Sequence, residues 1–361
     1  MRRSLSVALL VALSACELPT KLPIWNQTWL IPGDSASIGV SQLLPPSGSI
    51  TMSSVGGQPV FALTVAAPAS YSQTLGQICS ACAAANGTTV PKPAFVLRDS
   101  VSTSLPSDVV AATVVSGTFI YAVTNNFSFD PIRPAAAGAP YGSLVVTVLN
   151  GNTVVASDSV DGAAFAIAKN GGTLQRTVPV HLTYGSLALD GSAPVYVRLT
   201  LNKPQGDPLT INSSQSISIA FQASPVSLSQ AQVQFGSQSV SASQANIDFT
   251  SVSDQALIDR VQGGTVHLAI ASPFGVQGSL TATFSAPGAT PITRSLTLTT
   301  AGQQMQDITL SAAELRSLLG KSVTIDVSGT VSSPNGSVTL TPTQELQVNS
   351  TFQIILSTTE S

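Results

Sequence analysis

Apolar and polar residues alternate along most of the chain after residue 90, in short runs separated by Gly, Asn, Pro or Ser. A period of two places one face of a strand in the core and the other in water, which favours antiparallel sheets. Short strands with turns at roughly 8–12-residue spacing are typical of two-sheet sandwiches. The pattern therefore predicts an all-β protein, and because long crossover helices are missing it argues against an α/β fold.

Two parts of the chain repeat the same order of predicted strands. Residues 116–123 match residues 263–270 without a gap, and residues 143–148 match residues 279–284. The further matched pairs are 195–199 with 323–327, 209–211 with 338–340, and 217–219 with 346–348. Matched segments that keep one order along the chain indicate a duplication. We therefore predict tandem immunoglobulin-like antiparallel β-sandwiches.

The repeats divide the chain into three predicted parts. Repeat A covers residues 90–235 and repeat B covers residues 236–361, while residues 25–89 form a β-rich N-terminal segment. This segment contains the only two tryptophans, Trp25 and Trp29. They suit a core position, but a role at a membrane interface or in ligand stacking stays open.

Turn and helix signals interrupt the strands. The residue pairs 150–151 and 335–336 are both Asn-Gly, which tolerates the positive φ of a tight hairpin. A short helix is expected at residues 254–262, and residues 109–115 occupy the same place in repeat A with a weaker helical pattern. A second helix is expected at residues 311–319, where Ser-Ala-Ala-Glu forms a capping box. Both helices are short enough to cap the ends of a sandwich.

The first fifteen residues combine a positive start with a short apolar run. Arg2 and Arg3 follow the first methionine, and residues 5–13 are apolar apart from Ser6. This run is shorter than the ~20 residues of a membrane-spanning helix and has the size of a secretory signal. Residues 13–16, Leu-Ser-Ala-Cys, resemble the lipobox of bacterial lipoproteins.

The lipobox resemblance implies that Cys16 carries lipid. In that family the cysteine is diacylated, the preceding peptide is removed, and the new amino group is acylated. Residues 1–15 are then the signal peptide and residues 16–24 a lipidated tether, and three acyl chains anchor a protein firmly. An aspartate after the cysteine marks inner-membrane retention in the family, so Glu17 implies an outer-membrane position in the cell envelope. The alternative is an ordinary cleaved signal with an unmodified cysteine.

The remaining cysteines, Cys79 and Cys82, are separated by two residues. Outside the cytoplasm a local disulfide is the simplest interpretation. We expect it at the surface of the N-terminal segment, with less than the ~3 kcal/mol of stabilisation that closing a 15-residue loop would give. A thioredoxin-like redox site would need a helix start within a βαβ unit, which the flanking residues do not predict.

The repeated strand pattern also resembles the water-stress-and-hypersensitive-response domain, or late-embryogenesis-abundant group two sandwich. The resemblance rests on residues 265–274, a strand that ends in a Ser-Pro-Phe turn where the family has Asn-Pro-Asn. Residues 173–180, 324–329 and 337–342 are similar to later strands of the family. The resemblance implies a seven-stranded immunoglobulin-like sandwich with a protective or binding role and without catalytic residues.

Composition narrows the possible partners. Charged residues make up 9% of the chain, against about 25% in ordinary soluble proteins. The formal net charge of −3 becomes −5 when Arg2 and Arg3 leave with the signal peptide. Lys and Arg form no cluster that could follow a phosphate backbone, so we expect no nucleic-acid partner.

Motifs of common catalytic and metal sites are missing from the sequence. It contains no nucleophile elbow, phosphate-binding loop or His-Glu-x-x-His segment. The two histidines, His181 and His267, are single outward polar residues in separate alternating runs, which argues against zinc. Residues 158–162 could coordinate calcium loosely, although a plain polar turn explains them more simply. We therefore predict no catalytic residues, no cofactor and no metal.

These observations favour a non-enzymatic outer-membrane lipoprotein that displays two sandwiches as a scaffold or binding module. Its partners would be the membrane, through the lipid on Cys16, and an unknown envelope protein or lipid. The alternative is a carrier of lipid or another hydrophobic ligand. A cavity of several hundred Å³ between the sheets, lined by Val, Leu and Phe, would distinguish the carrier from the binding module.

Overall fold

A computed structural model of the protein describes residues 26–64, 70–134, 140–179, 187–190, 195–203, 206–222, 225–242, 245–299 and 301–357. The predicted signal peptide, the tether with Cys16, Trp25 and His181 lie outside these residues. The described chain is all-β, with antiparallel sheets and a few short helices. The predicted fold class is confirmed.

The strands are β1 (Asn26–Gly39), β2 (Ile50–Val55), β3 (Gln58–Thr64), β4 (Tyr71–Thr74), β5 (Thr89–Pro91), β6 (Phe95–Thr103), β7 (Val109–Asn125), β8 (Ser143–Asn150), β9 (Thr153–Asp161), β10 (Gly172–Pro179), β11 (Leu187–Asp190), β12 (Val195–Lys203), β13 (Pro208–Thr210), β14 (Ser216–Gln222), β15 (Pro225–Val233), β16 (Gln238–Ser241), β17 (Ala245–Asp248), β18 (Val261–Ser272), β19 (Gln277–Ser285), β20 (Ile292–Leu298), β21 (Gly302–Ser311), β22 (Ser322–Ser332), β23 (Val338–Leu340) and β24 (Glu345–Ser357). The helices are α1 (Leu75–Ile78), α2 (Ser80–Ala84), α3 (Gln255–Asp259) and α4 (Ala312–Leu318).

Sandwich A consists of two sheets that enclose one core. Its first sheet has the order β10-β7-β14-β4, and its second sheet has the order β6-β12-β8-β9. Tyr121 and Val123 of β7 share a buried cluster with Leu144 and Val146 of β8. Because apolar and polar residues alternate along the strands, the apolar side of each strand faces a common layer between the two sheets.

Sandwich B has the same plan, with longer strands in its first sheet. Its first sheet has the order β21-β18-β24-β1, and its second sheet has the order β16-β22-β19-β20, with β17 also paired to β22. Phe352 of β24 meets Phe249 and Phe284 edge-on, with ring centroids 5.3 and 5.9 Å apart. Edge-to-face aromatic pairs of this kind stabilise a core beyond their buried area.

Strand register supports the duplication. The matched segments place Ser272 at the position of Asn125, and both residues are buried at the end of the central strand of their sheet. Asn125 lies opposite Gly172 of β10, and Ser272 lies opposite Gly302 of β21. The β7–β10 and β18–β21 ladders therefore agree residue for residue.

A connecting sheet joins the two sandwiches. Residues 118–125 of β7 belong to sandwich A, whereas residues 109–117 pair with β15. β15 also pairs with β3 and β23, β3 pairs with β2, and β11 pairs with the first half of β7. The apolar face of this connecting sheet belongs to the same buried cluster as the core of sandwich B.

The predicted division at residues 89 and 235 does not follow the cores. β1 pairs with β24 along most of its length, so the first described strand completes sandwich B. β4 and the helices α1 and α2 belong to sandwich A, while β2 and β3 enter the connecting sheet. Residues 25–89 are therefore not a separate unit. Pairing between distant strands depends on tertiary hydrogen bonds, which alternation within one strand does not specify.

The capping box at the second predicted helix is confirmed. The Oγ atom of Ser311 accepts a hydrogen bond from the Glu314 amide at 3.3 Å, and Glu314 Oε2 accepts one from the Ser311 amide at 2.9 Å. Leu315 and Leu318 of α4 are buried in the core of sandwich B. This helix caps the sandwich, as its apolar face predicts.

Other local predictions need correction. Helix α3 ends at Asp259 and has Asp254 as its N-cap, because residues 261–264 already belong to β18. Residues 109–115 begin β7 and are not helical. The Asn-Gly pair at 150–151 forms the β8–β9 hairpin, but the pair at 335–336 lies in a 3-10 turn between strands of different sheets. Among the described residues, no helix has the length and apolarity needed to span a membrane.

Candidate functional site

The cysteine pair forms a buried disulfide. The sulfurs of Cys79 and Cys82 are 2.03 Å apart, and both side chains belong to the core of sandwich A with at most 4% exposure. The expected surface position was wrong, because α1 and α2 turn the pair towards the sheets. Burial shields both sulfurs from solvent, which does not favour thiol exchange with a partner.

Residues 158–162, for which a plain polar turn was the simpler interpretation, contribute to a charged network of sandwich A. Asp158 accepts two hydrogen bonds from the Arg176 guanidinium, at 2.8 and 3.0 Å, and one from the Tyr121 hydroxyl at 2.8 Å. The Arg176 guanidinium also lies 4.7 Å from the ring centre of Phe165. The Asp161 Oδ1 atom accepts a hydrogen bond from the backbone amide of Ala163 in a polar turn. The described residues contain no group of three or more acids, cysteines or histidines that could hold a metal.

His267 lies on the outer face of the first sheet of sandwich B, as the alternation predicts. Its Nδ1 atom is 2.7 Å from Asp307 Oδ1, and its Nε2 atom is 2.9 Å from Gln353 Oε1. Both partners accept hydrogen bonds, so the protonated ring can donate to both at once. The bond to Asp307, and then the bond to Gln353, raise the pKa of His267. The strand register produces this cluster, since Asp307 is directly opposite His267 in β21.

We expect the His267 cluster to make stability depend on pH. The cluster's contribution to the free energy of unfolding is fully present below the pKa of histidine in the unfolded chain, about 6.5. It is lost as the pH rises through the raised pKa of His267 in the folded protein. Ring resonances followed by NMR should show a lower midpoint in Asp307→Asn, and urea unfolding should become less pH-dependent above pH ~6.5. Gln353→Ala is the matched variant and should lower the midpoint by less. An unchanged midpoint in Asp307→Asn would contradict the assignment.

An open cleft of about 520 Å³ lies where three loops meet. The loops are residues 45–47 before β2, residues 106–108 between β6 and β7, and residues 234–237 between β15 and β16. The apolar lining is Pro45, Pro46, Pro106 and Phe235, and the polar lining is Ser47, Ser107, Asp108, Gln234 and Ser237. Apolar walls with a few convergent polar groups are typical of binding sites.

Asp108 holds the three loops in place. Its Oδ2 atom accepts hydrogen bonds from the hydroxyls of Ser47 and Ser49, the second at 2.8 Å. Its carbonyl accepts the amide of Gln234 at 2.9 Å, and its Oδ1 atom is buried without a hydrogen-bond partner among the described residues. The cleft is therefore shaped by fixed contacts. Sequence reasoning missed it because the three loops are far apart in the chain, and their prolines indicate only turns.

The sandwich interiors differ from those of a ligand carrier. The inward-facing side chains of their described strands are buried and form two continuous apolar clusters. The cleft opens between loops and is not lined by Val or Leu. This packing does not favour the alternative of an enclosed apolar cavity. Trp29 is half-buried against the core of sandwich B, which favours the structural interpretation of that tryptophan.

Comparison with known proteins identifies no family. No family model and no curated protein matches the chain. Among solved structures, a candidate secreted protein from Parabacteroides distasonis aligns with 91% of this chain and 99% of its own, at 9% identity and a TM-score of 0.33. A structure of the infectious bursal disease virus Gx strain aligns with 75% of this chain and 80% of its own, at 11% identity and a TM-score of 0.18. These TM-scores are too low to carry an argument about fold or function.

Proposed function

We propose that the protein is a non-enzymatic outer-membrane lipoprotein whose tandem sandwiches display a binding site. The observation that carries the binding role is the cleft built by the loops at residues 45–47, 106–108 and 234–237. Binding residues commonly lie on loops that a rigid scaffold positions, and here the scaffold is the connecting sheet. The exposed hydroxyls of Ser107 and Ser237 beside the prolines suit a partner with both small apolar groups and hydrogen-bonding groups.

Two further features support an anchored position in the envelope. The lipobox at residues 13–16 supplies the anchor, and the Cys79–Cys82 bond suits an oxidising compartment. Nine residues separate Cys16 from Asn26, so their Cα atoms are ten chain steps apart and at most about 35 Å from each other. Asn26 pairs with Ser357, so the anchor would hold this end of sandwich B close to the membrane.

The anchor is tested by replacing Cys16. Cys16→Ala should abolish acylation and move the protein from the outer-membrane fraction to the soluble fraction. The double variant Cys79→Ala/Cys82→Ala is the control, since it also removes sulfur and should stay in the membrane. Recovery of the unchanged protein in the inner membrane or cytoplasm would contradict the proposed location.

The binding role is tested by photo-crosslinking in intact cells. A photoreactive amino acid at Ser107 or Ser237 lines the cleft, whereas one at Ser295 is exposed on the outer face of β20, away from the cleft. We expect the same crosslinked partner from both cleft positions and none from Ser295. Equal crosslinking from all three positions would show that the cleft is not the binding site.

A further inference from the structure

The β2–β3 hairpin leaves one edge of the connecting sheet open. β2 pairs with β3 and, among the described residues, with no strand on its other side. Residues 51–59, which include the turn of the hairpin, are all exposed. Gly56 and Gly57 form this two-residue turn with φ values of 58° and 79°, as tight hairpins require. The edge therefore presents backbone hydrogen-bonding groups to solvent.

The backbone direction along β2 decides which groups can pair with another strand. The amide of Thr64 donates to the Ser49 carbonyl at 3.1 Å, so Ser49 faces β3. Residues of an antiparallel strand alternate between facing their partner strand and facing away. The odd-numbered residues of β2 therefore also face β3, whereas Met52 and Ser54 turn their amides and carbonyls to the open side. Pro59 lies opposite Ser54, which agrees with this alternation because that position of β3 needs no amide towards β2.

Other sheet edges of the protein are protected. The side chain of Gln306 binds the amide and the carbonyl of Thr297 in the edge strand β20. Gln42 does the same for Ser241 in the edge strand β16, and the edge strand β1 carries Pro32 beside a register shift. Such devices keep sheet edges from pairing with other chains. β2 has no charged residue, proline or register shift, and within the described ranges no group from outside the hairpin forms a hydrogen bond with residues 51–55.

The exposed part of β2 matches a second copy of itself. In antiparallel pairing about a two-fold axis at Ser53, Met52 of each copy lies opposite Ser54 of the other, and these two residues exchange both backbone hydrogen bonds. Ser53 meets its own counterpart in the closer, non-hydrogen-bonded pair, where a small hydroxyl side chain fits, and Thr51 meets Val55. Because the strand is uncharged, no like charges oppose each other in this register. The edge therefore meets the requirements of a two-fold contact between copies.

We propose that this edge is a self-association surface, at which the β2 strands of two copies pair and join their connecting sheets into one. The axis lies at Ser53 because an axis at Met52 would place Ser54 opposite Ile50, which is only 1% exposed. Pairing also covers Met52, which is 39% exposed opposite the buried Phe61. Five paired residues span only about 17 Å, less than a standard interface needs, so the dimer forms reversibly and depends on concentration. Neither the lipid anchor nor the cleft enters this inference.

Cysteine crosslinking tests the register. Ser53→Cys should give a disulfide-linked dimer when the purified full-length protein is oxidised, because the two Cα atoms of this pair are about 4.5 Å apart. Val55→Cys is the matched control, since it is also exposed but its two copies would be about 13 Å apart, beyond the reach of a disulfide. The unchanged protein, oxidised in the same way, gives the background from Cys16. Equal crosslinking from both variants, no dimer from Ser53→Cys, or a stronger link from Met52→Cys would contradict the proposed pairing.

A charge at the same position tests the association itself. Ser53→Lys places two like charges opposite each other and should weaken the dimer roughly fivefold or more. Ser295→Lys adds the same charge on exposed β20 and should leave dimerisation unchanged. Sedimentation of the full-length protein over a concentration series measures the dissociation constant, and because Ser53 is exposed its replacement should not unfold the chain. A wild type that keeps the mass of a monomer across the series, or equal weakening by both lysine variants, would overturn the inference.

Discussion

Replacing Asp158 with alanine is expected to lower the free energy of unfolding of sandwich A by about 3 kcal/mol, the cost of breaking a largely buried ion pair. Asp158 links β9 of one sheet to β10 and β7 of the other, through Arg176 and Tyr121. The variant leaves the Arg176 guanidinium, 28% exposed, and the fully buried Tyr121 without their shared acceptor. Urea unfolding and hydrogen exchange of the β7 and β10 amides measure the loss.

The duplication supplies a matched control for this prediction. Strand register places Arg294 of β20 at the position of Asp158, and Arg294 pairs with Glu314 where both side chains are about one third exposed. Arg294→Met should lower the free energy of unfolding by less than about 1 kcal/mol, because exposed ion pairs usually contribute no more than that to stability. An Asp158→Leu/Arg176→Leu double variant should recover most of the loss, because it removes the buried charges together. Equal losses from Asp158→Ala and Arg294→Met would contradict the structural role of the buried pair.

The same pair gives sandwich A an acid-sensitive component. The hydrogen bonds from Arg176 lower the pKa of Asp158. A carboxylate with a lowered folded pKa stabilises the protein above its unfolded pKa, about 3.9, and this contribution is lost as pH falls through the folded pKa. The difference in stability between the wild type and Asp158→Ala should therefore shrink below pH ~4.

Asn125→Ala should lower the free energy of unfolding by about 3 kcal/mol or more. Each buried backbone group that is left without a hydrogen-bond partner destabilises the fold by roughly 1–3 kcal/mol. The side-chain Nδ2 atom of Asn125 donates to the carbonyls of Phe129, Ile167 and Ala168 at 2.9–3.3 Å. Its Oδ1 atom accepts a hydrogen bond from the backbone amide of Phe127 at 3.0 Å. One side chain thus joins the turn after β7 to the segment before β10. Thermal unfolding and hydrogen exchange around residues 127–129 test the loss.

Ser272 is the corresponding residue of sandwich B and the control for Asn125. Its hydroxyl donates one hydrogen bond, to the Phe274 carbonyl at 3.0 Å. Ser272→Ala should therefore cost only about 1 kcal/mol. Asn125→Ser should fall between the two alanine variants, since a hydroxyl can replace one bond but not four. A larger loss from Ser272→Ala than from Asn125→Ala would refute this account of the turns.

Sequence reasoning succeeded where the signal was local. Alternation predicted the strands, and the aligned segments predicted which strands correspond, as the opposed pairs Asn125–Gly172 and Ser272–Gly302 show. The Ser311–Glu314 capping box was readable because its two partners are three residues apart. Such features depend on the order of neighbouring side chains, which is what the sequence records.

The candidate site could not be found in this way. The cleft combines loops around residues 46, 107 and 235. Buried Lys92 and Lys203 likewise meet although they are more than a hundred residues apart. Lysine in a strand context normally indicates an exposed position, so nothing in the sequence marks these two as buried. Their proximity follows from the pairing of β5 with β13, three residues on each side.

The sequence by itself determined the all-β class, the duplication, the faces of most strands and the resemblance of residues 13–16 to a lipobox, because each depends on residues close together in the chain. Tertiary structure decided that β1 completes sandwich B, that β7 belongs to two sheets, and that the cysteine pair is buried. It also decided which polar side chains meet between the sheets. These features depend on hydrogen bonds and packing between distant segments, whose register is selected only when the apolar faces of all the strands are buried together.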